Sequence, residues 1–519
     1  MFLRRLVSIF ILVITISAQA AAPKDPWVAF DASGRLVYRT LPHGDRIVDF
    51  SYAGYRGGGV SLPLVPVIRT VTPSGADDST AIQNAIDQVA TLPLTKDGQS
   101  QFRGAILLAP GVFQCSQTIN ITTSGIVLRG SGPGATTLKL TGEPHPAITI
   151  AGSQHLQTLG TVVHIVQPYV PSGTQNITLD DASSIAPGDL IRITRYTTSQ
   201  WLQLMGMDRL SRNGKDEVWV GKLISTIRTV TARQGNILTL DVPLTDSYDR
   251  SYLPPEGAEV VKVALTGTIE QDGIESLHLA APARQVAFTD PLFRAVILRD
   301  LRDSWVRNLV VDDVTEGVDV GENTLRITVQ DVAFHHSTTI TSPAKPADFI
   351  LRGSQILVLR GSSDGDDEMY VITGGRNQGP NVVLDSTFSG DGHVQPHQRW
   401  STGLLVDNVH VPRGGIDLMN RGEMGTGHGW TMGWGVVWNS SAKTLLIQNP
   451  PGAANWSIGC SGTEIDAPMK IIGVHPRDLG PNLPRGFIES ENHHVNPPSL
   501  YREQLSERLG ASVMKSLDP

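Results

Sequence analysis

Cysteine is nearly missing from this 519-residue chain: Cys115 and Cys460 are the only two, and they lie hundreds of residues apart. That scarcity excludes a disulfide-stapled scaffold. One long-range bridge is open to an exported chain, but two buried thiols within stacked strands is the simpler reading. Charge is scarce too: charged residues make up 18% of the sequence, the net charge is -8 and the pI is near 6.0. An acidic balance argues against nucleic acid as the partner, whereas a local basic cleft could still hold a polyanionic sugar. Long apolar runs are missing with one exception, LVSIFILVITI, which follows Arg4 and Arg5 and leads to Ala18-Gln19-Ala20. A basic start, a short apolar core and an A-x-A site read as a secretory signal peptide over 1–20, cleaved near Ala20. The run is well short of the roughly 20 residues needed to span a bilayer. The expectation is a secreted or periplasmic protein with no membrane span.

Glycine (52) and proline (33) are plentiful, and hydrophobic residues reach 40%. This favours a turn-rich, strand-rich body. The mature length exceeds one ordinary globular core, so the chain is either several domains or an elongated repeat. In GADDSTAIQNAIDQVATL, Ala81, Ile82, Ala85, Ile86 and Val89 recur at helical spacing, with Asp78 or Ser79 placed to cap the helix. Short apolar strands separated by Gly, Pro and Asn turns follow. This opening resembles that of the pectate-lyase superfamily, in Gly75-Ala76-Asp77-Asp78, the helix over 82–89, Ala109-Pro110-Gly111 and Leu128-Arg129-Gly130. The resemblance implies an all-β fold: a right-handed parallel β-helix behind a capping helix.

The rhythm changes over 154–263, where hairpin-like alternation and the turns Pro187-Gly188 and Gln234-Gly235 predict an inserted antiparallel β module. Trp201 and Trp219 lie in a polar segment of it that reads either as a surface loop or as a lid. Coils return over 264–463, after the N-terminal part over 21–153. The tail, 464–519, ends in Leu500, Leu505 and Leu509 at helical spacing, a cover for the solenoid's end or flank. Strand starts at Val371, Leu404 and Val436, and a second set at Val382, Ile416 and Leu445, are read as stacked coils. Loops after stacked strands also stack, about 4.8 Å apart. Asn308, Asp331, Asp385 and Asn408 are turn punctuation, and GSGPG (130–134) lacks any dinucleotide-binding context.

The densest chemistry lies in GDGHVQPHQRWSTGLLVDNVHVPRGGIDLMNRGEMGTGHGWTMGW, 390–434. PHQRWSTGLLVDN and NRGEMGTGHGW are similar to a block carried by a subgroup of the same superfamily, which implies a carbohydrate-active or carbohydrate-binding β-helix. Loops on rigid strands are where sites usually sit. His397 and Arg399, two apart before a strand, would share a face of an extended backbone. Cleaving a uronic-acid polymer by β-elimination needs a carboxylate neutralised, the proton alpha to it removed and the leaving oxygen protonated. Arginine suits the first task and histidine the others. His397, Arg399, His393 and His428 are therefore the catalytic candidates; Arg421, Trp400, Trp430, Arg376 and His336 are the substrate-binding ones, with Trp434 a further stacking ring. The alternative for Arg399 is a scaffold ion pair with Asp391 or Asp407. The acidic cluster Asp364, Asp366, Asp367 and Glu368 reads as a solvated turn, as oxygens for calcium at a spacing that matches no defined loop, or as half of a hydrolase pair facing Asp391 or Asp407. No organic cofactor is expected. The sequence thus points to an exported lyase for an acidic polysaccharide, ahead of a glycoside hydrolase on the same scaffold and a non-catalytic glycan-binding solenoid.

Overall fold

The computed structural model describes residues 25–97, 100–212, 215–217, 220–342, 344–466 and 484–518. The segment 1–20, expected to be a signal peptide, and Trp219 lie outside the described residues. The chain is a right-handed parallel β-helix. Its interior is built by like residues stacking on like: Ile106, Leu128, Ile274, Val306, Val329, Val358, Val383, Val406 and Val437 pair in register down successive coils. All nine are at most 1% exposed. β-branched side chains suit such a stack because they are stiff and pack well on a pleated surface. At one corner each coil bends through a left-handed residue: Asn308, Asp331, Arg360, Asp385, Asn408 and Asn439 have φ between 43° and 54°. Asn and Asp tolerate that region, which explains the polar punctuation.

Helix α1, Ser79–Ala90, caps the first coils by burying Ile82, Ala85, Ile86 and Val89 against the interior. Neither expected residue caps it through its side chain; the Asp78 carboxylate instead accepts the Ser74 and Gln114 amides and ties the helix start to a coil. After Pro146–Ala151 the chain leaves the solenoid and returns where the Ser153 amide donates to the Gly267 carbonyl at 2.9 Å. Between these points lies a six-stranded antiparallel sheet with a core of its own, including Ile177, Ile191, Leu238 and Val260. Helix α2, Ser199–Leu204, belongs to the same insertion. Helix α3, Leu500–Leu509, lies along the solenoid's flank; Leu500, Tyr501 and Leu505 pack on Leu357, Leu384 and Leu405 together with Trp27 and Phe50. Cys115 and Cys460 are buried free thiols in early and late coils.

One sheet of the solenoid positions the candidate site. Its strands are β1 (Glu316–Val320), β2 (Ala347–Leu351), β3 (Met369–Thr373), β4 (His393–Val394), β5 (His410–Leu418) and β6 (Ser441–Ile447), each paired in parallel with the next. This corrects the coil register. Val371 stacks on Val394, Ile416 and Leu445, while Val382 stacks on Leu405 and Val436. The two-residue strand β4 sits inside what reads as a loop, so the sequence merges two elements there.

Candidate active site

Loops that follow β2 to β6 line the sheet's trailing edge, and loops that precede them line its leading edge. His397, Arg399, Arg421 and His428 belong to the trailing edge. The His397 and His428 rings meet edge to face with centroids 4.6 Å apart. Arg421 is 6% exposed and donates through Nη1 to the His397 carbonyl at 3.1 Å. The Arg399 amide donates to the His428 carbonyl at 3.0 Å and its carbonyl accepts the Arg376 amide at 2.8 Å, so three loops are sewn together by backbone bonds. Arg399 and Trp400 both have positive φ, 54° and 63°. Arg399 is thus not in an extended segment, and the same-face argument for His397 and Arg399 fails; the loop turn brings the Arg399 charge within electrostatic reach of the His397 ring instead. Arg376, in the coil before, has φ of 61°, so the left-handed turn at Arg399 repeats a corner of the solenoid.

Electrostatics separates the three histidines. Burial first, then the Arg421, Arg352 and Arg399 guanidiniums, push the His397 imidazole down to about 3. Burial, Arg421, His397 and Arg399 push His428 down to about 2. Both are neutral at physiological pH. His393 is the opposite case: its Nδ1 contacts Asp417 Oδ2 at 2.7 Å, and that carboxylate outweighs the burial that disfavours charge, so its pKa is raised. Gln395 Nε2 donates to the same oxygen at 2.6 Å. Burial lowers Arg421 to about 10, and Asp417 opposes that shift. Groups whose environments drive their pKa values apart are the arrangement acid–base chemistry uses.

Asp417, Gln395 and Arg352 were not singled out from the sequence. Asp417 carries a weak signal, a carboxylate at an outward position of an otherwise apolar strand, GIDLMN. Arg352 lies in the loop after β2, 3.5 Å from Asp319. Arg376 is exposed and reaches the Leu223 carbonyl at 3.5 Å. Arg352 and Arg376 line a cleft of about 610 Å³ between the inserted sheet and the solenoid.

The tryptophans do not present faces to a sugar. Trp400, Trp430 and Trp434 are 2%, 1% and 1% exposed. Trp400 meets Trp201 edge to face at 5.6 Å and donates to Asp246, which Arg195 also pairs at 2.9 Å. Trp430 joins Met207 and Leu210 of the insertion, and Trp434 packs on Trp456. Trp400 and Trp430 anchor the inserted module to the site loops, whereas Trp434 belongs to the flank cluster. Trp201 is therefore an anchor too, not a mobile lid surface.

His336, a substrate-binding candidate from the sequence, does not join the trailing-edge group. It lies at the leading edge, with Nε2 2.9 Å from Asp348. Three carboxylates of the acidic cluster are matched by the chain's own side chains, Asp364 by His335 at 2.8 Å, Asp366 by Arg413, and Asp367 by Lys345 at 2.7 Å, while Glu368 Oε2 has no partner among the described residues. Among the described residues no group of three or more His, Cys, Asp or Glu is arranged to hold a metal. Asp407 is removed from the site altogether: it is fully buried on the α3 flank, where Oδ2 accepts the Ser499 hydroxyl at 2.7 Å and the Tyr501 amide at 2.9 Å. It can neither pair with Arg399 nor face a hydrolytic partner. Asp391 sits at the leading edge, accepting the Asp367 amide.

No family model matches the sequence, and no curated protein matches it. Solved structures do align. The tailspike gp61 of Pseudomonas phage phi297 is 13% identical, with a TM-score of 0.27, over 75% of this chain and 67% of that one. The A-module of the Azotobacter vinelandii mannuronan C-5 epimerase AlgE4 is 12% identical, with a TM-score of 0.33, over 75% and 73%. The catalytic domain of a GH87 alpha-1,3-glucanase, solved with nigerose, is 7% identical, with a TM-score of 0.33, over 82% and 65%. Likeness at this level bears on neither reaction nor substrate.

Proposed function

We propose that the protein is an exported polysaccharide lyase that cleaves a uronic-acid-containing polymer by β-elimination. One observation supports this above the others. Around Arg421, four buried polar atoms have no hydrogen-bond partner among the described residues: Arg421 Nε, His428 Nδ1, Asp417 Oδ1 and Gln395 Oε1. Buried polar groups are almost always paired, and a cluster of unpaired ones suits a bound ligand with both anionic and hydroxyl groups.

A uronate carboxylate held by Arg421 and Arg399 has its charge offset where the carbanion-like density develops. A neutral imidazole, His397 or His428, takes the proton alpha to the carboxylate. His393, whose hold on a proton Asp417 strengthens, supplies a proton to the departing glycosidic oxygen. The C–H and C–O bonds break, a carbon–carbon double bond forms, and no external reductant or oxidant is needed. Binding the carboxylate also offsets the arginine charge that suppresses both imidazoles, so the base strengthens as substrate arrives.

Incubation of the purified protein with a panel of acidic polysaccharides tests this. The expected result is near-ultraviolet absorbance from an unsaturated sugar, lost in His397→Ala with folding intact. Reducing ends without that chromophore would instead identify a hydrolase, and binding without any product a glycan-binding solenoid.

A further inference from the structure

The geometry points to a second ligand site, at the leading edge of the same sheet, shaped for a single uncharged sugar ring. A pocket of about 280 Å³ opens there, lined by His336, Ser337, Thr339, Ile340, Lys345 and Glu368 among others. This is just below the roughly 300 Å³ at which drug-sized ligand sites begin, a size that suits one ring.

Its floor is built, not incidental. The His336 and Lys345 side chains are each 5% exposed although both carry charge-bearing groups. His336 is held from three sides: Nε2 by Asp348, the backbone amide by Asp364, and the ring stacked on Phe334. Lys345 bonds Asp367 and the Ile340 carbonyl at 3.1 Å. Gly365 permits the close approach, since a Cβ there would sit 2.6 Å from Glu368 Cγ and 2.8 Å from the His336 ring. Glu368 lines the pocket, is 6% exposed, and has Oε2 buried with no partner. Leaving such an atom unbonded costs about 1–3 kcal/mol unless something binds it.

The charge pattern selects the ligand class. Each ionic group of the pocket is already matched: His336 with Asp348, Lys345 with Asp367, Asp366 with Arg413. A charged ligand would have to break one of these pairs; a neutral one would not. Burial and the Asp348 charge hold the Glu368 carboxyl far above the usual carboxylate range, so at neutral pH it donates a hydrogen bond. A carboxylic acid, two hydroxyl side chains and an aliphatic patch from Ile340 match the hydroxyls and the C–H face of a neutral pyranose, whose every hydroxyl can both donate and accept. Arg421 lies beyond the far end of the strand, five residues or about 16 Å along β3, while His393 adjoins the pocket only through its backbone amide, which donates to the Glu368 carbonyl at 3.1 Å. It stands on its own residues, independent of the lyase reading.

Saturation-transfer NMR on the full chain, with glucose, galactose, rhamnose and N-acetylglucosamine each as probe, tests the site. At least one should give a signal that survives in His397→Ala and weakens about tenfold in Glu368→Ala and in Thr339→Val. Thr339→Val keeps the side chain's shape, so it reports on the site if Glu368→Ala fails to fold. As pH rises into the alkaline range the signal should fade in the native protein but persist in Glu368→Gln. The groups packed around Glu368, namely His336, Lys345, Asp348, Asp364, Asp366, Asp367, Asp391, His393 and Arg413, all remain in place in that variant, so persistence there assigns the fading to the Glu368 carboxyl. No signal from any of the four sugars would overturn the proposal. So would a signal lost in His397→Ala, or one indifferent to both Glu368→Ala and Thr339→Val.

Discussion

Replacing Arg421 by Met is the sharpest test of the trailing-edge site, because two independent readouts should move together. The guanidinium is nearly fully buried, gives one bond to the His397 carbonyl and leaves Nε unpaired. If that fork grips a substrate carboxylate, losing it removes at least one charge-assisted hydrogen bond, about 1.5–3 kcal/mol. At about 1.4 kcal/mol per decade this is roughly a 10- to 150-fold fall in kcat/KM. The Arg421 charge is also the second cause, after burial, of the depressed pKa of both His397 and His428. Without it both imidazoles become easier to protonate, so activity should fail at a higher pH on the acid side than in the native protein. Arg421→Lys should keep that acid limb in place and still lose rate, since an ammonium cannot reproduce a bidentate fork. Stability should change little: one bond of about 1 kcal/mol is lost and a buried cation is removed with it. The assay is near-ultraviolet absorbance against pH, on the native polymer and on a carboxyl-reduced form, with a melting curve for each variant. Rates within about threefold of native for Arg421→Met, or equal rates on the two polymers, would refute the reasoning.

Three further outcomes are expected. Native kcat/KM, which reports the free protein, should stay flat on the acid side to about pH 4 and decline only above histidine's ordinary range, as His393 loses its proton; an acid limb near pH 6.5 would contradict the neutral state of His397. Trp400→Ala should cost about 3–5 kcal/mol in unfolding experiments, while Trp400→Phe should leave KM nearly unchanged, because the ring plugs the insertion rather than a sugar subsite; a large rise in KM for the Phe variant at unchanged melting temperature would restore the stacking role. Burial raises Asp407 to about 7, so the native state binds the extra proton and its stability falls as pH climbs from about 4 to 7, by an amount on the order of 4 kcal/mol; Asp407→Asn should therefore raise the melting temperature at pH 8 and hardly at pH 4, and equal effects at both would count against that account.

The solenoid is legible in the sequence because each coil repeats the same physical task, and aliphatic ladders and αL corners leave a periodic trace. The insertion is legible because its strands alternate and its turns carry Gly. The site is legible only in part. His397, Arg421 and His428 are findable because they follow equivalent strands. Their partners are less so: Asp417 is one letter within a strand, and Gln395 lies in the segment where β4 hides. His336 misleads because loops before and after a strand belong to opposite edges, and linear order does not say which edge is meant. The tryptophans mislead because composition shows an aromatic near a Gly-rich turn but not the Met207, Leu210 and Trp201 surface that descends on it from some 200 residues away in the sequence.

The bond between the Ser153 amide and the Gly267 carbonyl has a consequence for how fast the chain can fold. Strand Pro146–Ala151 must pair with Arg294–Arg299, and the whole inserted sheet lies between them. Closing a loop costs entropy that grows with its length, by about 0.6 kcal/mol for each doubling. A sheet that forms first on its own core draws the two ends to bonding distance, and the solenoid then closes over a short connection. The insertion would in that way act as a clamp on the search for the next coil, and damage to its core, at Leu238 for instance, would slow coil stacking even where the finished stack tolerates it.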